Sequence, residues 1–198
     1  MRTIENLVFK GGGVLGIAYA GCIEALHRKG ILDNIKGVAG TSAGSITAGL
    51  VALNYSSSEI NDIVSKTNFK SFEDKWDPLR IATKYGLYKG DHFLSWYKDL
   101  IKHKTGNENI TYKEFRNAGF KDLKVFATDL NAKSIQEFSA DATPDVIVAE
   151  SIRASMSIPL FFSAWKFSNG IPNNHIFVDG GTVYNLSLIH ISEPTRPY

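Results

Sequence analysis

Cysteine is almost missing from this sequence. Cys22 stands alone among 198 residues, so no internal disulfide can form and no thiolate cluster can hold a metal. Long apolar runs are missing too, and none approaches the ~20 residues of a membrane-crossing helix. No secretory leader is recognisable, because Glu5 and Asn6 sit where a basic region should precede an apolar one, and Lys10 cuts short the apolar stretch that follows. Charge of one sign is scarce: 22 Lys and Arg against 20 Asp and Glu leave a net +2, too little to argue for a nucleic-acid partner. Internal repeats and low-complexity segments are absent. What remains is an ordinary globular composition, 43% hydrophobic and 21% charged with a mean hydropathy of -0.11. A single domain of this length buries roughly 70% of its unfolded surface. The expectation is a soluble, cytoplasmic protein, in which the glycosylation sequons at Asn54 and Asn109 carry no meaning.

Two strand-helix units open the chain. Leu7-Val8-Phe9 leads into Gly11-Gly12-Gly13 and a helical segment from Gly16 to Lys29, where Ile17, Ala20 and Gly21 are spaced to face a sheet and Gly30 supplies the stop. Ile35 to Ala39 leads into Gly40-Thr41-Ser42-Ala43-Gly44 and a helix from Ile46 to Leu53. This alternation predicts an α/β fold with a parallel sheet covered by helices. Ser56 and Glu59 form a capping box before a helix from Ile60 to Lys66. Between Lys66 and Lys104, nine Lys or Arg and five Asp or Glu interleave with eight Phe, Trp or Tyr, and no strand pattern survives. Within that stretch Phe93, Trp96, Tyr97, Leu100 and Ile101 mark an amphipathic helix over Asp91 to Lys104. It reads as a helix lying on the sheet, or else as a lid or membrane-facing segment. Further strands are expected at Leu123 to Thr128, around Ile135 to Phe138, at Phe161 to Phe167 and at His175 to Val178, with a helix from Thr143-Pro144 through Ala154.

The chemistry concentrates in three glycine-rich turns. Gly40-x-Ser42-x-Gly44 lies between a strand and a helix, where a sharp turn holds a serine hydroxyl at the sheet edge, near the positive end of the following helix. The amides of Gly11, Gly12 and Gly13 carry no side chains that would block a substrate carbonyl, so they can form an oxyanion hole. Gly11-x-Gly13-x-x-Gly16 also matches a dinucleotide-binding loop, but that reading needs an acid at the end of the second strand, and Asp33 lies before it. Each histidine is a poor base for Ser42. His27 falls on a polar helix side, His92 and His103 lie in the basic aromatic stretch, and His175 occupies the far end of the strand that finishes at Asp179. Asp179, followed by Gly180-Gly181, is the best base candidate. An ordinary α/β-hydrolase would instead place its serine after several strands and supply a late histidine.

Taken in order, Gly11-Gly12-Gly13-Val14-Leu15-Gly16, Gly40-Thr41-Ser42-Ala43-Gly44 and Asp179-Gly180-Gly181 resemble the patatin-like phospholipase family. Ala154-Ser155-Met156-Ser157-Ile158-Pro159 is similar to a further block of that family, and the likeness runs from about Leu7 to Asn185. The resemblance implies a three-layer α/β sandwich with a mainly parallel central sheet. It also implies Ser42 as nucleophile, Asp179 as general base, Gly11 to Gly13 as oxyanion hole, and no metal or other cofactor. The implied partner is a phospholipid or other acyl lipid, met in transient contact with a membrane surface. A catalytically inactive member of the same fold stays open. Leu15 departs from the Arg or Lys that many members carry, which is expected to alter headgroup preference or loop packing more than the chemistry. Residues Leu186 to Arg196 match one translated frame of a transposase sequencing adapter. The domain is therefore expected over 1–185, incomplete on its C-terminal side, with 186–198, and with it His190, as a non-native tail.

Overall fold

The computed structural model describes residues 3–74, 76–172 and 174–182, so the expected domain end at Asn185 and the tail 186–198 lie outside the described residues. In chain order, β1 (Asn6–Phe9) leads through a 3-10 helix at Gly13–Ile17 into α1 (Ala18–Arg28), and β2 (Gly37–Thr41) leads into α2 (Ala43–Ala52). There follow α3 (Ser57–Lys66), α4 (Leu79–Lys84), β3 (Gly86–Tyr88), α5 (Asp91–Thr105) and α6 (Tyr112–Asn117). The second half holds β4 (Asp122–Asp129), β5 (Ser134–Phe138), α7 (Val148–Ser155), β6 (Leu160–Phe162) and β7 (Phe177–Asp179).

The architecture is the α/β sandwich that the sequence implies, with a parallel centre. β1 and β4 flank β2 and both run parallel to it, while β5 and β7 pair antiparallel with β4. Side chains alternate across β4: Leu123, Val125 and Ala127 are buried, whereas Asp122, Lys124 and Phe126 are half-buried. The buried face meets α2 and α7, which also touch each other, and α5 packs on α7 from outside. Nine of the ten residues of α2 and all eight of α7 are buried. Small residues make that possible in α2, where Gly49 leaves room for the Tyr97 hydroxyl that donates to Ile46 O.

The position of β7 decides the site. β5 occupies one edge of β4 from Val125 to Asp129, so the other edge is shared: β2 takes Asp122 to Phe126 and β7 takes Ala127 to Asp129. Because β2 runs with β4 and β7 runs against it, their C-terminal ends meet. Thr41 lies opposite Phe126, and Asp179 lies opposite Ala127, the next residue along.

Four local expectations are corrected. A strand, β3, does occur in the basic aromatic stretch, paired in parallel with β6 as a separate two-stranded sheet. Three residues are too few to show alternation, and Gly86 is needed because a Cβ there would sit 2.1 Å from the Phe162 carbonyl carbon. Of the residues spaced to face the sheet from the first helix, Ala20 is buried, but Ile17 and Gly21 are exposed. The cause is the 3-10 segment at Gly13–Ile17, whose three-residue turn shifts the phase before α1 begins and buries Ile23 instead. The helix expected from Thr143 starts only at Val148, since the Thr143 amide and hydroxyl close a turn on Ser139 and Ile147 bridges to Thr111. The strand expected over Phe161 to Phe167 is short, and Trp165 keeps only an isolated bridge to Phe177.

Phe138 locks β5 to the region around β7, its ring 4.9 Å from Phe167 and 5.6 Å from Phe177 with no solvent exposure. Phe138→Ala is expected to cost about 3–5 kcal/mol of stability in urea unfolding; a loss below about 1 kcal/mol would contradict this packing.

Candidate active site

Ser42 is the single residue between β2 and α2, with φ 53° and ψ -133°. That left-handed backbone is one that non-glycine residues avoid, and it persists only where the surroundings hold it. Both flanking glycines are required by contact. A Cβ on Gly40 would lie 2.4 Å from Gly44 O, and one on Gly44 would lie 2.1 Å from Phe9 O. The first close approach folds α2 back on β2, and the second seats it on the end of β1. Gly16 serves the same end, since a Cβ there would meet the Ala43 Cβ at 2.9 Å.

The strained turn is held by its own hydrogen bonds. Ser42 O accepts from both the amide and the hydroxyl of Ser45. The Ser42 amide donates to Ser155 Oγ at 2.8 Å, and that hydroxyl donates in turn to Phe126 O at 2.6 Å. Ser155, the last residue of α7, thus ties the Ser42 turn to β4. The Ala154-Ser155 to Pro159 run marks Ser155 in the sequence without revealing this role.

Asp179 faces the same point from the opposite direction. Its amide donates to Ser157 O at 2.9 Å and its carbonyl accepts from the Thr128 hydroxyl at 3.1 Å, so its backbone is fixed on both sides. Oδ1 accepts from the Gly181 amide at 2.7 Å, while Oδ2 is buried without a partner. Burial pushes the carboxyl pKa above the ordinary carboxylate value, and the nearby Ser42 hydroxyl and the Gly181 amide offset part of that rise. No hydrogen bond joins the Ser42 hydroxyl to Oδ2, and the two residues meet as walls of one cavity. Gly180 lets the chain leave the strand there, because a Cβ would lie 2.5 Å from Phe126 O.

Ser42 and Asp179 line one cavity of about 300 Å³ together with Gly11, Gly12, Ile158, Pro159, Gly181 and Thr182. Of the three glycines expected as oxyanion donors, Gly11 and Gly12 reach the cavity wall, whereas Gly13, at φ 54°, turns the chain into the 3-10 helix. That 3-10 helix also removes the α-helix N-terminus that a dinucleotide loop would present directly after the glycines. Among the described residues no histidine lines this cavity. His27 is exposed, His92 bonds Ser71 O, His103 meets the Tyr55 hydroxyl, and His175 is bound to Asp129 at 2.5 Å at the other end of β7. A larger cleft of about 680 Å³ lies between α3 and α5, but it is lined by Asp62, Lys66 and His92 among others and contains neither Ser42 nor Asp179. Among the described residues no helix is long and apolar enough to cross a membrane, and no group of three or more His, Cys, Asp or Glu is arranged to hold a metal.

A family model for patatin-like phospholipase matches residues 7–190. The uncharacterized protein YqhO of Bacillus subtilis (strain 168) is 34% identical over 96% of this chain and 68% of its own length. The probable lipid hydrolase 463L of Invertebrate iridescent virus 6 is 26% identical over 94% of this chain and 63% of its own. The chain therefore spans about two thirds of the length of these curated relatives. Among solved structures, VipD from Legionella pneumophila superposes with a TM-score of 0.76 at 17% identity, over 94% of this chain and 47% of that one, a likeness of fold.

The same substitution should have opposite effects at two glycines. Gly44→Ala drives a methyl group into the β1 backbone and is expected to abolish folding or cost more than about 3 kcal/mol. Gly21→Ala, in α1 with nothing within 4 Å of the new methyl group, is expected to gain about 0.5–1 kcal/mol. Thermal unfolding of both variants checks the pair.

Proposed function

Because the chain belongs to the patatin-like phospholipase family, a family of lipid hydrolases, we propose that it cleaves carboxylic esters of phospholipids or other acyl lipids with Ser42 as nucleophile and Asp179 as base. The observation that carries this reading is the unpartnered, buried Oδ2 of Asp179 beside the strained Ser42, in a cavity walled by Gly11 and Gly12. Burial raises the proton affinity of the carboxylate, which is what an aspartate needs to act on a serine hydroxyl.

In this mechanism Ser42 Oγ attacks the acyl carbonyl carbon as its proton passes to Asp179 Oδ2. The amides of Gly11 and Gly12 face the oxyanion, and the helix dipole of α2 adds to its stabilisation. The tetrahedral intermediate collapses, the ester C–O bond breaks, and the leaving alcohol takes the proton from Asp179. Water then repeats the sequence on the acyl-serine, with Asp179 again taking and returning one proton. The residues supply nucleophile, base and oxyanion donors among themselves, so no metal is required and EDTA is expected to leave turnover unchanged.

A fluorophosphonate should label Ser42, and Ser42→Ala should lose both the label and at least about a thousandfold in turnover. A folded chain that takes no label at Ser42 would overturn the proposal. Asp179→Asn should lose turnover to a similar degree, whereas His175→Ala should keep it; the reverse pattern would assign the base to histidine. Since the carboxylate form is the active one and its pKa is raised, kcat/KM should climb with pH through a value above the ordinary carboxylate range. The stability effect has the opposite sign. Folding favours the protonated acid, so the contribution of Asp179 to stability is present below its unfolded pKa and is lost as pH rises through the folded one. Asp179→Asn should therefore melt higher than the parent at pH 7, with the difference shrinking on acidification.

A further inference from the structure

We propose that the mouth of the Ser42–Asp179 cavity is a docking surface for an anionic lipid–water interface, an inference that rests on the lipid hydrolase reading above. Large apolar side chains stand exposed on both sides of the cavity. The wall formed by Gly11 and Gly12 continues into Val14, Leu15 and Ile17, and the wall formed by Ile158 and Pro159 continues into Leu160. Leu160 N donates to Tyr85 O at 2.9 Å, which brings the end of α4, with Tyr85 and Leu79, alongside. These six side chains are between 49% and 82% exposed. Exposed leucines scattered singly need no explanation, but a collar of them around a cavity mouth marks an interaction surface.

The backbone at this collar is unusual in the same places. Tyr85 has φ 63° and Leu160 has φ 68°, left-handed values that side-chain-bearing residues rarely adopt. Leu160 therefore does not point outward for want of an alternative; the chain after Pro159 holds it in a strained conformation while it remains in solvent.

Charge identifies the partner. The three segments that build the collar, 10–23, 77–89 and 156–166, contain five bases, namely Lys10, Arg80, Lys84, Lys89 and Lys166, against one acid, Asp77, whose Oδ1 accepts from the Leu79 amide. The whole chain has 22 bases against 20 acids, so this bias is local. Arg80 is paired with Asp77 and Lys89 with Asp91, but Lys10, Lys84 and Lys166 are exposed and have no ion pair among the described residues. A second copy of the chain would bring like charges together across a two-fold interface, whereas an anionic membrane offers apolar acyl chains to the collar and negative headgroups to its lysines. The cavity volume fits this arrangement. About 300 Å³ is at the lower end for sites that enclose even a small ligand, so most of an acyl lipid has to stay in the aggregate while its ester reaches Ser42.

The test is co-sedimentation of the Ser42→Ala chain with vesicles of phosphatidylcholine alone or with about one fifth phosphatidylserine, an anionic lipid. Binding is expected on the anionic vesicles. Leu79→Glu and Leu160→Gly should each weaken it by about tenfold or more, and glycine suits the left-handed backbone at 160, so that variant should fold. Lys84→Glu should weaken binding several-fold on the anionic vesicles only. With Ser42 intact, Leu79→Glu and Leu160→Gly should hydrolyse a water-soluble short-chain ester at the parent rate and lose activity on vesicle lipid. Absence of vesicle binding, or binding that the apolar substitutions leave unchanged, overturns the docking surface. So does a dimer that Leu160→Gly dissociates in sedimentation velocity without any change on vesicles. These outcomes are separable from the hydrolase reading, which fails if Ser42 takes no fluorophosphonate and stands if labelling persists while vesicle binding is lost.

Discussion

The site depends on two strands sharing one edge of β4. β2 and β7 approach from opposite directions and stop at adjacent register positions, opposite Phe126 and Ala127. Backbone pairing sets this meeting point, and a one-residue slip would turn the alternating side chains to the other face. Phe126 O then becomes a shared anchor. It accepts from Ser155 Oγ, which holds the Ser42 amide, and it is the atom that a side chain at position 180 would strike. The nucleophile candidate and the base candidate are thus referred to one carbonyl of the central strand, although 137 residues of chain separate them.

Arg153 carries the order outward from that point. It has no exposure, burial lowers its pKa to about 10, and its partners are a hydroxyl and carbonyls, with no carboxylate among them. Nη1 donates to Ser157 Oγ, while Nη2 donates to Lys89 O and Ser163 O. Ser157 is the residue whose carbonyl receives the Asp179 amide. One buried cation therefore ties the start of α5, the end of β6 and the turn that supports Asp179. Gly90 is the point where the chain passes over it, since a Cβ there would lie 2.6 Å from the guanidinium. Leaving a charge without a counter-ion is costly, and three oxygen acceptors together with the Phe162 and Trp165 rings, at 5.1 and 5.3 Å, are what hold it. The exposed collar at Leu160 is consequently joined to a rigid part of the molecule.

How much of this was legible depended on whether the information was local. The turns at 40–44 and 179–181 could be read because glycine is required there by contact, and the contacts at Gly40, Gly44 and Gly180 are with backbone atoms that no neighbour can move. The capping box at Ser56 and the helix over Asp91 to Thr105 were equally readable, since caps and 3.6-residue spacing are properties of the segment itself. The phase of the first helix was not readable, because a five-residue 3-10 segment looks apolar in the same way and differs only in its turn. β3 was hidden for another reason: it is three residues long and exists through its pairing with β6. Arg153 and Ser155 gave no sign of their partners, which lie between 4 and 113 residues away. Their roles come from the register of β4, which no local pattern encodes.

The remaining constraint is electrostatic. An aspartate in water is too weak a base to take a serine proton, and hydrogen bonds that stabilise its charge make it weaker still. Asp129, on the same edge of β4, illustrates that second case: it is as buried as Asp179 but accepts from the Asn131 and Ala132 amides and from His175, and its pKa is lowered. Asp179 receives one amide bond on Oδ1, leaves Oδ2 without a partner, and its pKa is raised. Asp129 ends β4 opposite Phe177, the first residue of β7, whereas Asp179 ends β7 itself, and the two carboxylates differ in how many donors surround them. A fold that only needed an acid to fasten β7 would treat both ends alike. The end that is left under-satisfied is the one beside Ser42, and an unpaired oxygen there lowers stability while raising basicity, which is the exchange that the base role proposed for Asp179 requires.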